Sequence, residues 1–195
     1  MNKGKLYLIP APLSDSDIIN CIPEGVKRVV NSLRYFIVED PRTARRYISK
    51  LMTGTPVAEL NFASLNEHTD AREFADLLAP VLRGEDAGLM SDAGMPCIAD
   101  PGEELVQLAY SRDITVVPLV GPSSLFLALA ASGLSGEKFA FEGYLPAKTP
   151  ELPKYLKRLE QSSRQEKQSK MFIETPYRSA RMFETILGVC SPETL

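Results

Sequence analysis

Short apolar runs alternate with amphipathic stretches along the chain, and the two periods predict different elements. Residues 6–9, 35–38, 88–90 and 115–119 are brief, continuous apolar or β-branched runs, which is the pattern of strands buried on both faces; 57–60 is a weaker run of the same kind. Between them the period lengthens. Residues 23–33 put Val26, Val29, Val30 and Leu33 on one helical face, and 70–82 turn Phe74, Leu77, Leu78 and Val81 inward before Gly84. A helix over 41–51 has Asp40 as its N-cap and Pro41 at its first position. A helix over 101–110 is opened by Asp100, Pro101 and Glu103 in the same way. Strands separated by helices imply right-handed crossovers, so the fold class is α/β with a mostly parallel N-terminal sheet flanked by helices.

The spacing predicts a first domain over 1–119 and a second, smaller α/β unit over 120–195. In the second, 122–131 is an apolar helix ended by Gly133, 139–141 and 170–174 are strands, and 178–187 is a helix closed by Gly188. Residues 151–167 form a polar helix with Tyr155, Leu156 and Leu159 turned inward; 161–170 is polar enough to read as a surface loop. Two strands are marginal for independent stability, so this unit is expected to lean on its surroundings or to be truncated at its C-terminus.

Composition narrows the class. The longest apolar runs are too short to span a bilayer, and the N-terminus runs from Lys5 straight into a strand. Three widely spaced cysteines, Cys21, Cys97 and Cys190, suit a reducing cytoplasm, and with one histidine and no CxxC pair no metal site is expected. The formal net charge is −3, so any nucleic acid must be met by a local basic patch and not by the overall field. The helix over 41–51 offers one, with Arg42, Arg45, Arg46 and Lys50 spaced to share a face; a solvated surface is the plainer reading of the same charges.

Candidate chemistry lies where strands end, because an open α/β sheet holds ligands beyond the carboxyl ends of its strands. Neither G-x-G-x-x-G nor G-x-x-x-x-G-K-[ST] occurs, which disfavours nicotinamide enzymes, glycine-rich Rossmann-like methyltransferases and P-loop NTPases. What does occur is Ser91-Asp92-Ala93-Gly94-Met95-Pro96, then Asp100-Pro101-Gly102. This stretch resembles the S-D-A-G-x-P-x-x-x-D-P-G signature of the tetrapyrrole-methylase superfamily, and within it the ribose 2′-O-methyltransferases of small-subunit ribosomal RNA. The opening Leu6-Tyr7-Leu8-Ile9-Pro10-Ala11-Pro12-Leu13 is similar to that family's L-Y-x-V-P-T-P-I, although Ser14 and Asp15 stand where the family has Gly and Asn. Glu39-Asp40-Pro41-Arg42, Phe141-Glu142-Gly143-Tyr144-Leu145-Pro146-Ala147-Lys148 and Glu174-Thr175-Pro176-Tyr177-Arg178 match further motifs in the family's order.

The resemblance implies an S-adenosylmethionine-dependent methyltransferase that needs no metal, acts in the cytoplasm on small-subunit ribosomal RNA and forms a homodimer. It implies a cofactor site built from Pro10, Ser91, Asp92, Ala93, Gly94, Pro96, Gly121, Pro122, Ser123 and Ser124, in a trough between the two units. Arg42, Arg45, Tyr144, Lys148, Tyr177 and Arg178 become candidate RNA contacts, and Glu39 the candidate base. A carboxylate at the buried end of a strand needs a partner, and Arg42 is the nearest in sequence. Asp40 and Asp100 read more plainly as helix caps, and His68 as a structural residue with a base role left open. Two rival readings stand beside the first: C-methylation of a tetrapyrrole, and a non-catalytic module binding S-adenosylmethionine or a nucleotide.

Overall fold

The computed structural model describes residues 2–14, 21–51, 54–147 and 150–194, and divides the chain into two compact units, 1–124 and 125–195. The first is a five-stranded sheet in the order β3-β2-β4-β1-β5, every pair parallel. Its strands are β1 (Lys5–Leu8), β2 (Tyr35–Val38), β3 (Asn61–Ser64), β4 (Ala87–Met90) and β5 (Thr115–Pro118). The central strands β2 and β4 are buried at every residue, as their unbroken apolar runs require, whereas the edge strands β3 and β5 are half-exposed.

Side-chain alternation along the strands divides the core into two layers. Phe36, Val38 and Met90 face helices α1 (Glu24–Ser32) and α2 (Pro41–Lys50), meeting Val26, Val30, Ala44, Tyr47 and Ile48. Tyr35, Ile37 and Leu89 face α3 (Phe74–Leu82) and α4 (Glu103–Ser111), meeting Phe74, Leu78, Val81, Leu105 and Ala109. Gly88 lets Ile9 and Phe36 close over β4: a Cβ there would lie 2.4 Å from Ile9 Cδ1.

Two assignments differ from the sequence reading in this unit. Residues 57–59 form a 3-10 turn, and the strand follows at Asn61–Ser64. The turn closes through Glu59 N–H to the Pro56 carbonyl and Leu60 N–H to that of Val57, while the Phe62 ring stacks on Phe36 of β2, 5.6 Å between centroids. The stacked pair sets a register that composition does not reveal. The other difference is α4, which starts at Glu103 and not at Pro101, because Gly102 has φ 132°, outside the helical region.

The second unit pairs β6 (Phe139–Tyr144) with β7 (Ser169–Ile173) in parallel, and adds α5 (Ser124–Ser132), α6 (Glu151–Glu166) and α7 (Pro176–Val189). Leu152, Leu156 and Leu159 of α6 pack with Leu145 and with Met182 of α7. The polar stretch expected as a loop is the last turns of α6 and the start of β7. Leucines every three to four residues hold the helix, and it ends at Lys167 in the left-handed conformation, φ 50°. Likewise α7 runs through Gly188 and stops at Cys190.

Candidate functional site

At the carboxyl edge of the first sheet, β2 and β4 are neighbours whose onward connections leave in opposite directions, β2 to β3 and β4 to β5. Such a divergence marks the position where doubly wound sheets bind ligands, here at the loops of Glu39 and Ser91. The Asp92 N–H donates to Glu39 Oε2 at 3.2 Å, and the Glu39 N–H to the Met90 carbonyl at 3.2 Å. The partner of Glu39 is therefore the β4 loop and not Arg42, because the strand order puts Asp92 beside it. Asp40 caps α2 as expected, its two carboxylate oxygens accepting from the N–H groups of Arg42 and Thr43; the Arg42 N–H is the main cause holding its carboxyl below the usual range.

The loop after β4 is tightly wound. Gly94, Cys97, Ala99 and Gly102 all have positive φ (70°, 68°, 62° and 132°), two of them at residues that rarely adopt it. The turn brings Asp100 toward Asp92 and Ser91 instead of capping α4. Three carboxylates thus gather. Burial raises the proton affinity of Glu39, and Asp100, Asp40 and Glu67 raise it further against the opposing Asp92 N–H. Burial likewise raises that of Asp92, with Glu39 and Asp40 adding to it, and that of Asp100, against the hydrogen bond from Ser91. Sequence reasoning gave Asp100 only a capping role; the D-P-G turn following S-D-A-G was the signal available.

Two further turns join this loop. Ala11 and Gly94 exchange backbone hydrogen bonds at 2.8 and 3.0 Å, so the segment after β1 is pinned to the segment after β4. Gly121, beyond β5, lies on the ring of Pro10, where a Cβ would sit 2.1 Å from Pro10 Cβ. The structure so brings Pro10, Gly94 and Gly121 together. Ser91, Gly94 and Pro96 are buried while Asp92 and Ala93 are exposed; Pro122 and Ser123 are half-exposed, and Ser124 opens α5.

On the β2 side of the same loops, a cavity of about 240 Å³ is bounded by Leu13 and Ser14, by Thr43, Arg46 and Tyr47 of α2, and by Asp92. Tyr47, 4 % exposed, donates its hydroxyl to the Pro10 carbonyl at 3.0 Å and so fixes α2 to the β1 loop. Arg42, Arg45 and Arg46 are exposed on α2, and the Arg45 guanidinium lies 4.8 Å above the Phe62 ring.

In the second unit, Tyr144 ends β6 and Tyr177 opens α7, 56 % and 84 % exposed. Arg178 is held by Glu174, Nε and Nη2 each donating at 2.7 Å to one carboxylate oxygen. Its guanidinium is occupied by a paired carboxylate. Lys148 and Asp15 lie outside the described residues. His68 stands exposed with Glu67 at 3.6 Å. A larger cavity, about 530 Å³, lies among α6, α7 and β7, and none of the expected site residues lines it. Among the described residues no helix is long and apolar enough to cross a membrane.

No family model matches the chain. It is 34% identical over 178 residues to the ribosomal RNA small subunit methyltransferase I of Pseudomonas aeruginosa, covering 91% of this chain and 59% of that protein. It is 33% identical over 188 residues to the protein of the same name from Vibrio cholerae, covering 96% and 61%. With that of Thermotoga maritima it shares 31% identity over 186 residues, covering 95% of this chain and 78% of the relative. The chain thus spans about three fifths of the length of the first two relatives. Among solved structures, the native form of uroporphyrin III C-methyltransferase from Thermus thermophilus matches with a TM-score of 0.59 at 16% identity, over 95% of this chain and 77% of that one. At that identity the likeness is one of fold.

Proposed function

The chain belongs to the ribosomal RNA small subunit methyltransferase I family, and from that membership we propose that it transfers a methyl group from S-adenosylmethionine to a ribose 2′-hydroxyl of a cytidine in small-subunit ribosomal RNA. The observation that carries the reading is the joining of three turns, through the Ala11–Gly94 pair and the Gly121–Pro10 contact, beside a cluster of carboxylates. The donor set suits the cofactor. Close-set main chain can hold an adenosyl or methionine moiety, and carboxylates complement the positive sulfonium and ammonium groups. When bound, S-adenosylmethionine supplies a methyl group already activated as a sulfonium.

The main chain of 91–96, with Pro10 and 121–124, aligns that group, which is most of what an in-line transfer needs from a protein. Glu39 takes the proton of the acceptor hydroxyl: burial and neighbouring carboxylates raise its proton affinity, which improves a carboxylate as a base near neutral pH. Arg42 and Arg45 engage RNA phosphates, and Tyr144 and Tyr177 stack on bases. Lys148 belongs to the same RNA set. Arg178 serves through its pair with Glu174, which steadies the start of α7 that carries Tyr177. The protein works in the cytoplasm as a homodimer.

Calorimetry with S-adenosylmethionine, followed by labelled methyl transfer to 30S subunits in one tube and uroporphyrinogen III in another, tests the proposal. Binding with label in the RNA alone is expected. Label in the tetrapyrrole alone, or no binding, refutes it.

A further inference from the structure

Charge is unevenly shared between the two units. Residues 1–124 carry twelve Lys and Arg against seventeen Asp and Glu, whereas residues 125–195 carry ten against eight Glu and no Asp. Half of those glutamates are bound within the second unit. Glu142 and Glu166 meet Lys170 at 3.4 and 3.6 Å, Glu160 meets Arg164 at 3.2 Å, and Glu174 holds Arg178. Cations are left over on α6. Lys154, Lys157 and Arg158 are exposed and make no ion pair among the described residues. With Gln161 and Gln165 they form the face of the helix opposite the buried Leu152, Leu156 and Leu159, and over 154–165 no carboxylate shares that face. A solvated helix face is ordinarily laced with both signs, because opposite charges three or four residues apart favour it.

We propose that the outer face of α6 grips the phosphate backbone of the RNA substrate through Lys154, Lys157 and Arg158. The three charges lie within about 6 Å along the helix axis, close enough to serve neighbouring phosphates. Arg158 is braced for the task. Its guanidinium lies 5.0 Å above the Tyr155 ring, whose hydroxyl donates to Glu142 Oε2 at 3.1 Å, while Lys170 meets the other oxygen of that carboxylate. A guanidinium already stacked on a fixed ring loses less freedom when it meets a phosphate. Gln161 adds a neutral donor of the kind found at phosphate and sugar oxygens. The face carries no apolar side chain, which a helix lying on a lipid surface needs, so a nucleic acid fits it better than a membrane. A contact of this kind strengthens binding of any RNA sequence and selects no nucleotide. The inference rests on the methyltransferase reading above.

The test compares wild type with two triple variants. Lys154→Gln, Lys157→Gln and Arg158→Gln together remove the charges and keep good helix formers; Lys154→Arg, Lys157→Arg and Arg158→Lys together keep the charges. S-adenosylmethionine affinity is measured by calorimetry, and kcat and KM for 30S subunits across a series of salt concentrations. Cofactor affinity and kcat are expected to be unchanged in all three proteins. In the glutamine variant KM at low salt is expected to rise about 10-fold or more, and the slope of log KM against log salt to become shallower by about 2–3, with both close to wild type in the charge-keeping variant. Each single glutamine change is expected to take about 1 from that slope, so the reading does not depend on the folding of the triple variant. An unaltered KM and slope in the glutamine variants overturns the α6 contact and leaves the methyltransferase standing. So does an equal loss in the charge-keeping variant, or binding of wild type to phosphatidylserine vesicles that the glutamine variant loses while its KM stays unaltered. Failure of wild type to bind the cofactor or to methylate 30S subunits overturns the reading beneath it.

Discussion

Glu39 sits under two opposed demands. The strand order places it at the end of a fully buried strand beside Asp92, where ionisation is costly, yet the base of the proposed reaction must be ionised to act. Its folded proton affinity is raised, chiefly by burial, above the ordinary value of 4.5. Between that value and the folded one the native state binds more protons than the unfolded chain, so stability falls as pH rises through this window. Glu39→Gln keeps an oxygen for the Asp92 N–H and removes the charge. Its melting temperature is expected to exceed that of wild type at pH 8, with the difference vanishing near pH 4, while methyl transfer drops by about 100-fold or more. A wild-type rate in Glu39→Gln would remove Glu39 from the chemistry. The neighbouring Asp40 was readable in sequence because capping spans three residues. The partner of Glu39 was not, since Asp92 lies 53 positions away and is brought near by the β2–β4 pairing alone.

The same division between local and non-local information governs the elements. Helix α2 is legible to within a residue, because its cap, its proline and its apolar face are all encoded within one stretch. Strand β3 was misplaced because Val57 and Leu60 carry the β-prone composition, whereas the pairing with β2 is made by the half-exposed Asn61–Ser64. The site's turns were identifiable from glycine and proline, but not the fact that Gly121 rests on Pro10. Gly121→Ala drives a Cβ to 2.1 Å from Pro10 Cβ and 2.3 Å from its Cγ, atoms of a rigid ring that cannot rotate away. The turns must separate, so cofactor affinity is expected to fall by about 10-fold or more and stability by ~1–3 kcal/mol. Gly188→Ala serves as the contrast. It lies within α7 with nothing within 4 Å of a Cβ, and is expected to stabilise by up to ~1 kcal/mol with cofactor affinity unchanged. Equal cofactor affinities in both variants would mean that the Gly121 contact does not shape the donor site.

At the scale of the molecule, a net charge of −3 would confine the proposed RNA recognition to local cations such as those of α2, and leaves the apolar surface to be explained by something else. Helix α5 is apolar nearly all round, a pattern that ordinarily marks a buried helix, yet among its residues only Leu129 is buried. Phe126 and Leu127 are 60 % and 58 % exposed, although the Phe126 ring also meets Phe139 edge-on, 6.0 Å between centroids. Association of two copies through α5 removes this surface from water and gives the proposed homodimer a physical cause. Sedimentation of the wild type is therefore expected to give twice the 21.5 kDa of one chain. Phe126→Asp together with Leu127→Asp should return the mass to a single chain with the circular dichroism spectrum preserved, since a charge on each side of such an interface is costly to bury. A wild type that sediments as one chain, or a double variant that still pairs, removes α5 from the interface; in the second case the exposed Phe183 and Leu187 of α7 become the face to alter next.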